Sequence, residues 1–162
     1  MGLFGGAVRC TIILRHAGFC EVAMEYIYDK MRMAEYEEIY ALWRSIPEVS
    51  LSEADERECI DAYLLRNPGQ SFLCKADGRV VGTVLCGNDG RRAFLYHLAV
   101  CPAYRRRGIA AELVRLAIGK QKSLGIMKCA VFILDENDVG KRFWQHAGFT
   151  AVQEADTMAK NI

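Results

Sequence analysis

The sequence carries no excess of either charge: 21 Lys and Arg stand against 20 Asp and Glu, for a formal net charge of +1. Such a domain has no global field with which to hold a polyanion, so nucleic acid is not its expected partner. It has no C-x-x-C pair. The seven cysteines (Cys10, Cys20, Cys59, Cys74, Cys86, Cys101 and Cys129) are odd in number and far apart, which argues against a metal framework or a fully paired disulfide scaffold and suits a reducing, cytoplasmic setting. Most fall among apolar residues, where a free thiol packs as a small hydrophobe.

Nor is there a long apolar run. Arg9 and Arg15 bracket Ile12-Ile13-Leu14, leaving room for neither a signal-peptide core nor a membrane span. Gly2 lacks the Ser or Thr that a myristoylation motif needs at the sixth position, which here is Gly6. Interrupted by Gly2, Gly5, Gly6 and Gly18, residues 1–23 read as an extension outside the fold, with the domain spanning 24–162 and a natural start near Met24. Internal repeats and low-complexity tracts are missing too. At 162 residues, 52% hydrophobic and 25% charged, the chain fits one soluble globular domain.

What is there alternates short strands and helices. Glu25–Tyr28 reads as a first strand. Met33, Tyr36, Tyr40 and Trp43 recur at intervals of three and four, predicting a helix with one buried face that Pro47 helps to stop. Ser52 and Asp55 form a capping-box-like start for a second helix with the stripe Cys59, Ile60, Tyr63 and Leu64, ending at Asn67-Pro68-Gly69. Three β-rich runs follow, Ser71–Ala76, Arg79–Cys86 and Arg92–Val100, joined by Asp77-Gly78 and Asn88-Asp89-Gly90, which predicts an antiparallel meander. A long helix from about Ile109 to Leu124, with Ile109, Leu113, Leu116, Ala117 and Leu124 as its buried stripe, ends at Gly125. Met127–Leu134 is apolar enough for a sheet centre, Asn137 or Asp138 caps a short helix reaching Ala147, and Gly148-Phe149 leads to a last strand.

The strongest chemical signal is Arg105-x-x-Gly108-x-Ala110, set between a strand and an amphipathic helix. At a helix start several amide N–H groups lack intrahelical partners and face outward with the positive end of the helix dipole, which suits a pyrophosphate. Small residues at 108 and 110 let phosphate oxygens approach, while Arg105, Arg106 and Arg107 add positive charge. This is neither a Walker loop nor a Rossmann fingerprint.

Leu98-Ala99-Val100-Cys101-Pro102-Ala103-Tyr104-Arg105-Arg106-Arg107-Gly108-Ile109-Ala110 resembles the acetyl-CoA signature of the GCN5-related N-acetyltransferases (GNAT), with its [RQ]-x-x-G-x-[GA] core. Asn137, Phe143-Trp144 and Gly148-Phe149 are similar to that family's later N-x-x-A-x-x-[LF]-[YW]-x-x-x-G-[FW] segment, with Gly140 where alanine is usual. The resemblance runs from about Glu25 to the C-terminus. It implies an α+β fold: a mixed, mostly antiparallel sheet, splayed between Arg92–Val100 and Met127–Leu134 and flanked by helices. It further implies acetyl-CoA as co-substrate, with the pantetheine pairing with the backbone of Leu98 and Val100 beside Ala99, and the pyrophosphate on the amides of Arg105–Ala110, Ile109 among them. Asn137 would steady the cofactor arm and Trp144 would stand near the thioester; no metal is implied.

Many relatives have tyrosine in place of Trp144, credited with protonating the departing thiolate, and an indole N–H is not a practical acid. The proton would then come from Tyr96, Tyr104 or water, or the thiolate would leave unassisted. An amine acceptor also needs a base, because an ammonium near pKa of about 10.4 has no lone pair. Tyr96 and His97 are the titratable groups on the cleft strand; the resemblance favours Tyr96, His97 also reads as a core histidine, and a bulge there would change the phase.

The resemblance places the acceptor side at the first two helices and the loop Ser45–Ser52, where Glu48 could receive an ammonium. The expected function is direct transfer of acetyl from acetyl-CoA to an amine of a small molecule or protein, without membrane or nucleic-acid partners and compatible with a homodimer. A non-catalytic acyl-CoA-binding regulatory module is the alternative. A nucleic-acid domain built on Arg91-Arg92 and Arg105–Arg107 ranks last, for want of a long basic face with interleaved aromatics.

Overall fold

The computed structural model of the chain describes residues 7–13 and 23–152. In chain order the elements are β1 (Val8–Ile13), β2 (Ala23–Lys30), α1 (Tyr36–Arg44), α2 (Arg57–Arg66), β3 (Phe72–Ala76), β4 (Arg79–Asn88), β5 (Ala93–Val100), α3 (Ile109–Ser123), β6 (Cys129–Val131) and α4 (Asp138–His146). Short 3₁₀ turns at Met33–Glu35, Glu53–Asp55 and Pro102–Tyr104 precede α1, α2 and the turn into α3. The chain divides into two compact units, Met1–Phe132 and Ile133–Ile162. The first holds the sheet and α1 to α3; α4 belongs to the second.

The six strands lie in the order β1-β2-β3-β4-β5-β6, antiparallel except for the parallel pair β5 and β6. This is the mixed, mostly antiparallel α+β architecture that the sequence leads one to expect. The meander β3-β4-β5 follows from its turns: Asp77 and Gly78 both take positive φ, the geometry that a two-residue hairpin requires. Of the segment expected outside the fold, residues 8–13 pair with β2 from Val8↔Tyr28 to Ile13↔Ala23, with the side chains of Val8–Thr11 exposed. The rest of that segment up to residue 22, and most of the expected last strand, lie outside the described residues.

One face of the sheet is covered by α1 and α2. Tyr36, Ile39, Leu42 and Trp43 of α1 are buried with Ile60, Leu73, Val80, Leu85 and Ala99. The amphipathic spacing predicted α1 well, although Tyr40 is only partly buried while Ile39 is fully so. Against the other face lies α3, with Ile109, Leu113, Val114 and Ala117 buried. Its last apolar residue, Leu124, is exposed, whereas the polar Gln121 is buried. Gln121 is accommodated because its amide is satisfied by Gln70 Oε1 (2.8 Å) and by the Asn88 amide (2.9 Å).

The run Met127–Leu134 differs from its expected place at a sheet centre. Only Cys129–Val131 pair, and Met127 and Phe132 are 98% and 60% exposed. Pairing stops there because β5 is regular only as far as Leu95 on that side; beyond it the strand bulges.

Candidate active site

β5 is paired with β4 along its length but with β6 only at Ala93, Phe94 and Leu95. Among the described residues, Tyr96–Val100 have no strand on the β6 side. The sheet is therefore open beside Leu98, Ala99 and Val100, where the resemblance implies a splay. The register explains the opening. Thr83 faces Ala99 while Leu85 faces Tyr96, so β5 holds one residue more than β4 between these pairs. His97 takes a positive φ of 46° at this bulge, which bends and twists the strand away from its neighbour.

The bulge is pinned by side chains from far along the chain. Thr83 Oγ1 donates to the His97 carbonyl (3.1 Å) and accepts from Trp43 Nε1 (2.9 Å). The His97 ring lies against Trp43, centroids 4.6 Å apart, and its Nε2 is 2.5 Å from Asp55 Oδ1. Burial alone would raise the Asp55 carboxyl. The hydrogen bonds it accepts from His97 and from the Ser52 amide and hydroxyl outweigh burial and hold it below its ordinary value. An ionised Asp55 is an acceptor only, so Nε2 carries the proton it shares, and in the neutral ring Nδ1 is then the nitrogen with the lone pair. Among the described residues Nδ1 makes no hydrogen bond.

Tyr96 pairs with Leu85, whose side chain belongs to the core under α1 and α2. The extra residue thus brings Tyr96 and His97 to the same face, against the strict alternation of a regular strand. Tyr96 is 36% exposed and stacks with Phe94 (6.2 Å) and Phe132 (6.3 Å). Burial pushes its phenol above the ordinary value, which keeps it protonated at neutral pH.

The turn after β5 has the geometry of an anion cradle. Arg106 and Gly108 both take positive φ, 63° and 79°, and Gly108 is the N-cap of α3 with no side-chain capping bond. The first-turn amides, those of Ile109 and Ala110 included, are thus left for an external acceptor. A Cβ at Gly108 would meet no atom within 4 Å, so packing leaves this space open and it is the left-handed backbone that calls for glycine.

The three arginines divide their work. Arg107 turns inward, bonding Tyr26 Oη (3.0 Å) and the Ala103 carbonyl (3.1 Å) while lying 5.4 Å over the Tyr104 ring. Arg105 donates through Nε to the Val100 carbonyl (3.2 Å) and lies 3.7 Å from Glu48. Arg106 is exposed. The Glu48 carboxylate, expected to await an ammonium, thus already faces a cation.

In the second unit, Asn137 Oδ1 caps α4 by accepting from the Gly140 amide (2.7 Å). A Cβ at 140 would come within 2.7 Å of the Asn137 amide nitrogen, which accounts for glycine where the family pattern has alanine. Trp144 is buried, edge-on to Phe143 (5.2 Å) and Phe149 (4.9 Å).

Asp55 and Thr83 are the site residues that sequence reasoning missed. Asp55 did carry a signal, the Ser52-x-x-Asp55 capping box, which is present; but a cap uses one carboxylate oxygen and leaves the other, and the partner of that other lies 42 residues on. Thr83 carried none. Burial also pushes the thiols of Cys74 and Cys86 up to about 12 and that of Cys129 up to about 11, which keeps them protonated and poorly nucleophilic. Among the described residues no group of His, Cys, Asp and Glu is placed to hold a metal ion, and no helix is long and apolar enough to cross a membrane.

A mixed sheet left open beside β5, with a helix start that has no side-chain cap beyond that strand's C-terminal end, is the α+β arrangement that the resemblance implies. The sequence profile of the acetyltransferase (GNAT) family matches residues 36–149. The acetyltransferase plu1384 of Photorhabdus laumondii subsp. laumondii is 31% identical over 107 residues, 66% of this chain and 74% of that protein. Among solved structures, the PaiA N-acetyltransferase of Thermoplasma acidophilum in complex with coenzyme A superposes with a TM-score of 0.70 at 20% identity, covering 81% of this chain and 92% of that one. The aminoglycoside N-acetyltransferase AAC(6')-Iy in complex with CoA gives 0.68 at 19% identity, covering 86% and 97%. The chain belongs to the acetyltransferase (GNAT) family.

Proposed function

We propose that the protein moves the acetyl group of acetyl-CoA directly onto an amine of a small molecule or protein, in a reducing, cytoplasmic setting. The observation that carries this reading is the uncapped start of α3, with Gly108 at a φ of 79°, at the end of a strand whose backbone is open beyond Leu95. The pyrophosphate of acetyl-CoA would take the amides of Arg105–Ala110, with Arg105 and Arg106 supplying charge and Arg107 shaping the turn. The pantetheine would run along Leu98, Ala99 and Val100.

Direct transfer needs no acyl-enzyme. The acceptor ammonium loses a proton, its nitrogen attacks the thioester carbon, the C–N bond forms and the C–S bond breaks. The thiolate then takes up the second proton shed by the nitrogen. A thiol is far more acidic than an amine, so the thiolate leaves without help from the Trp144 indole. We place the first proton transfer on the Tyr96–His97 bulge. The geometry supports His97 as acceptor, since Nδ1 offers a lone pair, with Tyr96 beside it on the same face.

CoA release from acetyl-CoA across a panel of amines tests the reading, with the acetylated product confirmed by mass spectrometry. CoA binding without amine-dependent release would favour the regulatory acyl-CoA-binding module, which the indole at 144 in place of a phenol recommends as the second reading. In the same assay Tyr96→Phe should keep kcat within about threefold; a fall of about tenfold or more that high pH partly restores would move the proton to the phenol.

A further inference from the structure

We infer that Asp55 is a positioning residue for acetyl transfer: by accepting the Nε2 proton of His97 it fixes the ring tautomer that leaves Nδ1 as the base for the acceptor amine. The inference rests on the amine-acetylating function proposed above and adds a residue that neither the family signature nor strand position points to.

Both carboxylate oxygens of Asp55 are assigned. Oδ2 accepts from the Ser52 amide (2.8 Å) and hydroxyl (3.3 Å), and Oδ1 faces His97 Nε2 at 2.5 Å. A carboxylate held at both ends cannot swing away, and its backbone carbonyl is anchored as well, by the Tyr36 hydroxyl (3.0 Å). The imidazole is equally confined, by the Trp43 ring on α1 and by the bond from Thr83 on β4 to its own carbonyl. With the side chains of His97 and Asp55 14% and 9% exposed, the pair is largely withdrawn from water, where a charge-assisted hydrogen bond is strong.

Among the described residues, the groups in contact with this pair are Tyr36 and Trp43 from α1, Ser52 from the turn before α2 and Thr83 from β4, with Tyr96 next to His97 in the chain. The nearby Arg57 lies over the Tyr36 ring and is paired with Glu37 at 2.6 Å. Among the described residues Asp55 is the one charged side chain bonded to the imidazole. It therefore decides which nitrogen is protonated in the resting protein and faces the imidazolium once Nδ1 has taken the ammonium proton. That proton leaves to solvent after the amide has formed.

A purely structural tie between the start of α2 and β5 would use the same contact, so the test needs readouts that such a tie would not move. Asp55→Asn keeps the size of the side chain, but its amide can donate to Nε2 and force the proton onto Nδ1. The expected result is a fall in kcat of about 100-fold, with acetyl-CoA affinity unchanged and the acid limb of the rate profile displaced. Ser52→Ala is the comparison: it removes one of the two bonds at Oδ2 and keeps the Oδ1–Nε2 bond, so kcat should fall by at least about tenfold less than in Asp55→Asn, with the Nε2-protonated tautomer retained. Nitrogen-15 NMR of the wild-type imidazole reads the tautomer directly, with or without an active acceptor, and should show a protonated Nε2 and an unprotonated Nδ1. An Nδ1-protonated tautomer in the wild type overturns the inference, as does an Asp55→Asn variant with wild-type kcat and pH profile. Failure of every amine in the panel, with the Nε2-protonated tautomer still observed, would instead count against the proposed function.

Discussion

The middle of β5 and the turn beyond its C-terminal end are built in different ways. Beyond that end the turn Arg105–Ala110 presents backbone: uncapped amides, two residues at positive φ, and a glycine that packing does not demand. In its middle, the bulge presents side chains, with His97 held by Trp43, Thr83 and Asp55 from three other parts of the chain. The backbone end would serve the part of the donor that every acyl-CoA shares. The side-chain end would serve the proton, whose handling differs with the acceptor. A site made of amides tolerates change in its side chains, whereas one made of side chains can be lost through a single distant substitution.

The largest effect that would break this contrast is at Gly108. Gly108→Val should raise the dissociation constants of CoA and acetyl-CoA alike by about tenfold or more, since a β-branched residue at positive φ costs on the order of 1–3 kcal/mol and crowds the amides. Calorimetric titration would check it; unchanged affinity in a folded variant would remove the phosphates from this turn. Next comes Thr83→Val, which leaves the buried Trp43 N–H and the His97 carbonyl without their partner. Stability to denaturant should fall by about 1–3 kcal/mol, and kcat should fall while CoA affinity holds.

Arg107→Ala and Arg106→Ala sharpen the contrast within the turn itself. Arg107→Ala should lower stability by about 1 kcal/mol, because it removes the hydrogen bonds to Met24, Tyr26 and the Ala103 carbonyl that tie the turn to β2 and to itself. Arg106→Ala should leave stability unchanged and weaken CoA by no more than about threefold, an effect that vanishes in high salt. Acid provides a gentler probe. The folded pKa of Asp55 lies below the unfolded one, so its stabilising contribution is fully present above about pH 4 and is lost as pH falls through the folded value. The stability gap between wild type and Asp55→Asn, followed by denaturant titration, should therefore close below about pH 4. Smallest of all, deletion of residues 1–23 should leave folding and CoA affinity intact, because its described part is the edge strand β1, whose described side chains are exposed, and the first residue of β2. An insoluble or non-binding product would make that strand part of the domain.

Much of the fold was legible. The apolar spacing of α1, the hairpin turns of β3-β4-β5 and the start of α3 depend on residues a few positions apart, and they formed where the sequence placed them. The parallel strand was read too long, because its partner's bulge ended the pairing and nothing within Met127–Leu134 reports on β5. Leu124 fitted the α3 stripe by periodicity but lies past the helix's buried stretch, where Gln121 takes the inward place with Gln70 and Asn88.

By itself, then, the sequence determined the order of elements from β2 to α4, the turn at Arg105–Ala110 and the family, since positive φ, helix starts and turn chemistry are set by near neighbours in the chain. Only the tertiary structure decided that His97 shares a face with Tyr96, that Arg107 faces inward to Tyr26, and that the free oxygen of a helix-capping Asp55 meets an imidazole. The last two partnerships join residues 81 and 42 positions apart, and all of them exist only once the strands, the turns and a bulge in β5 have packed together.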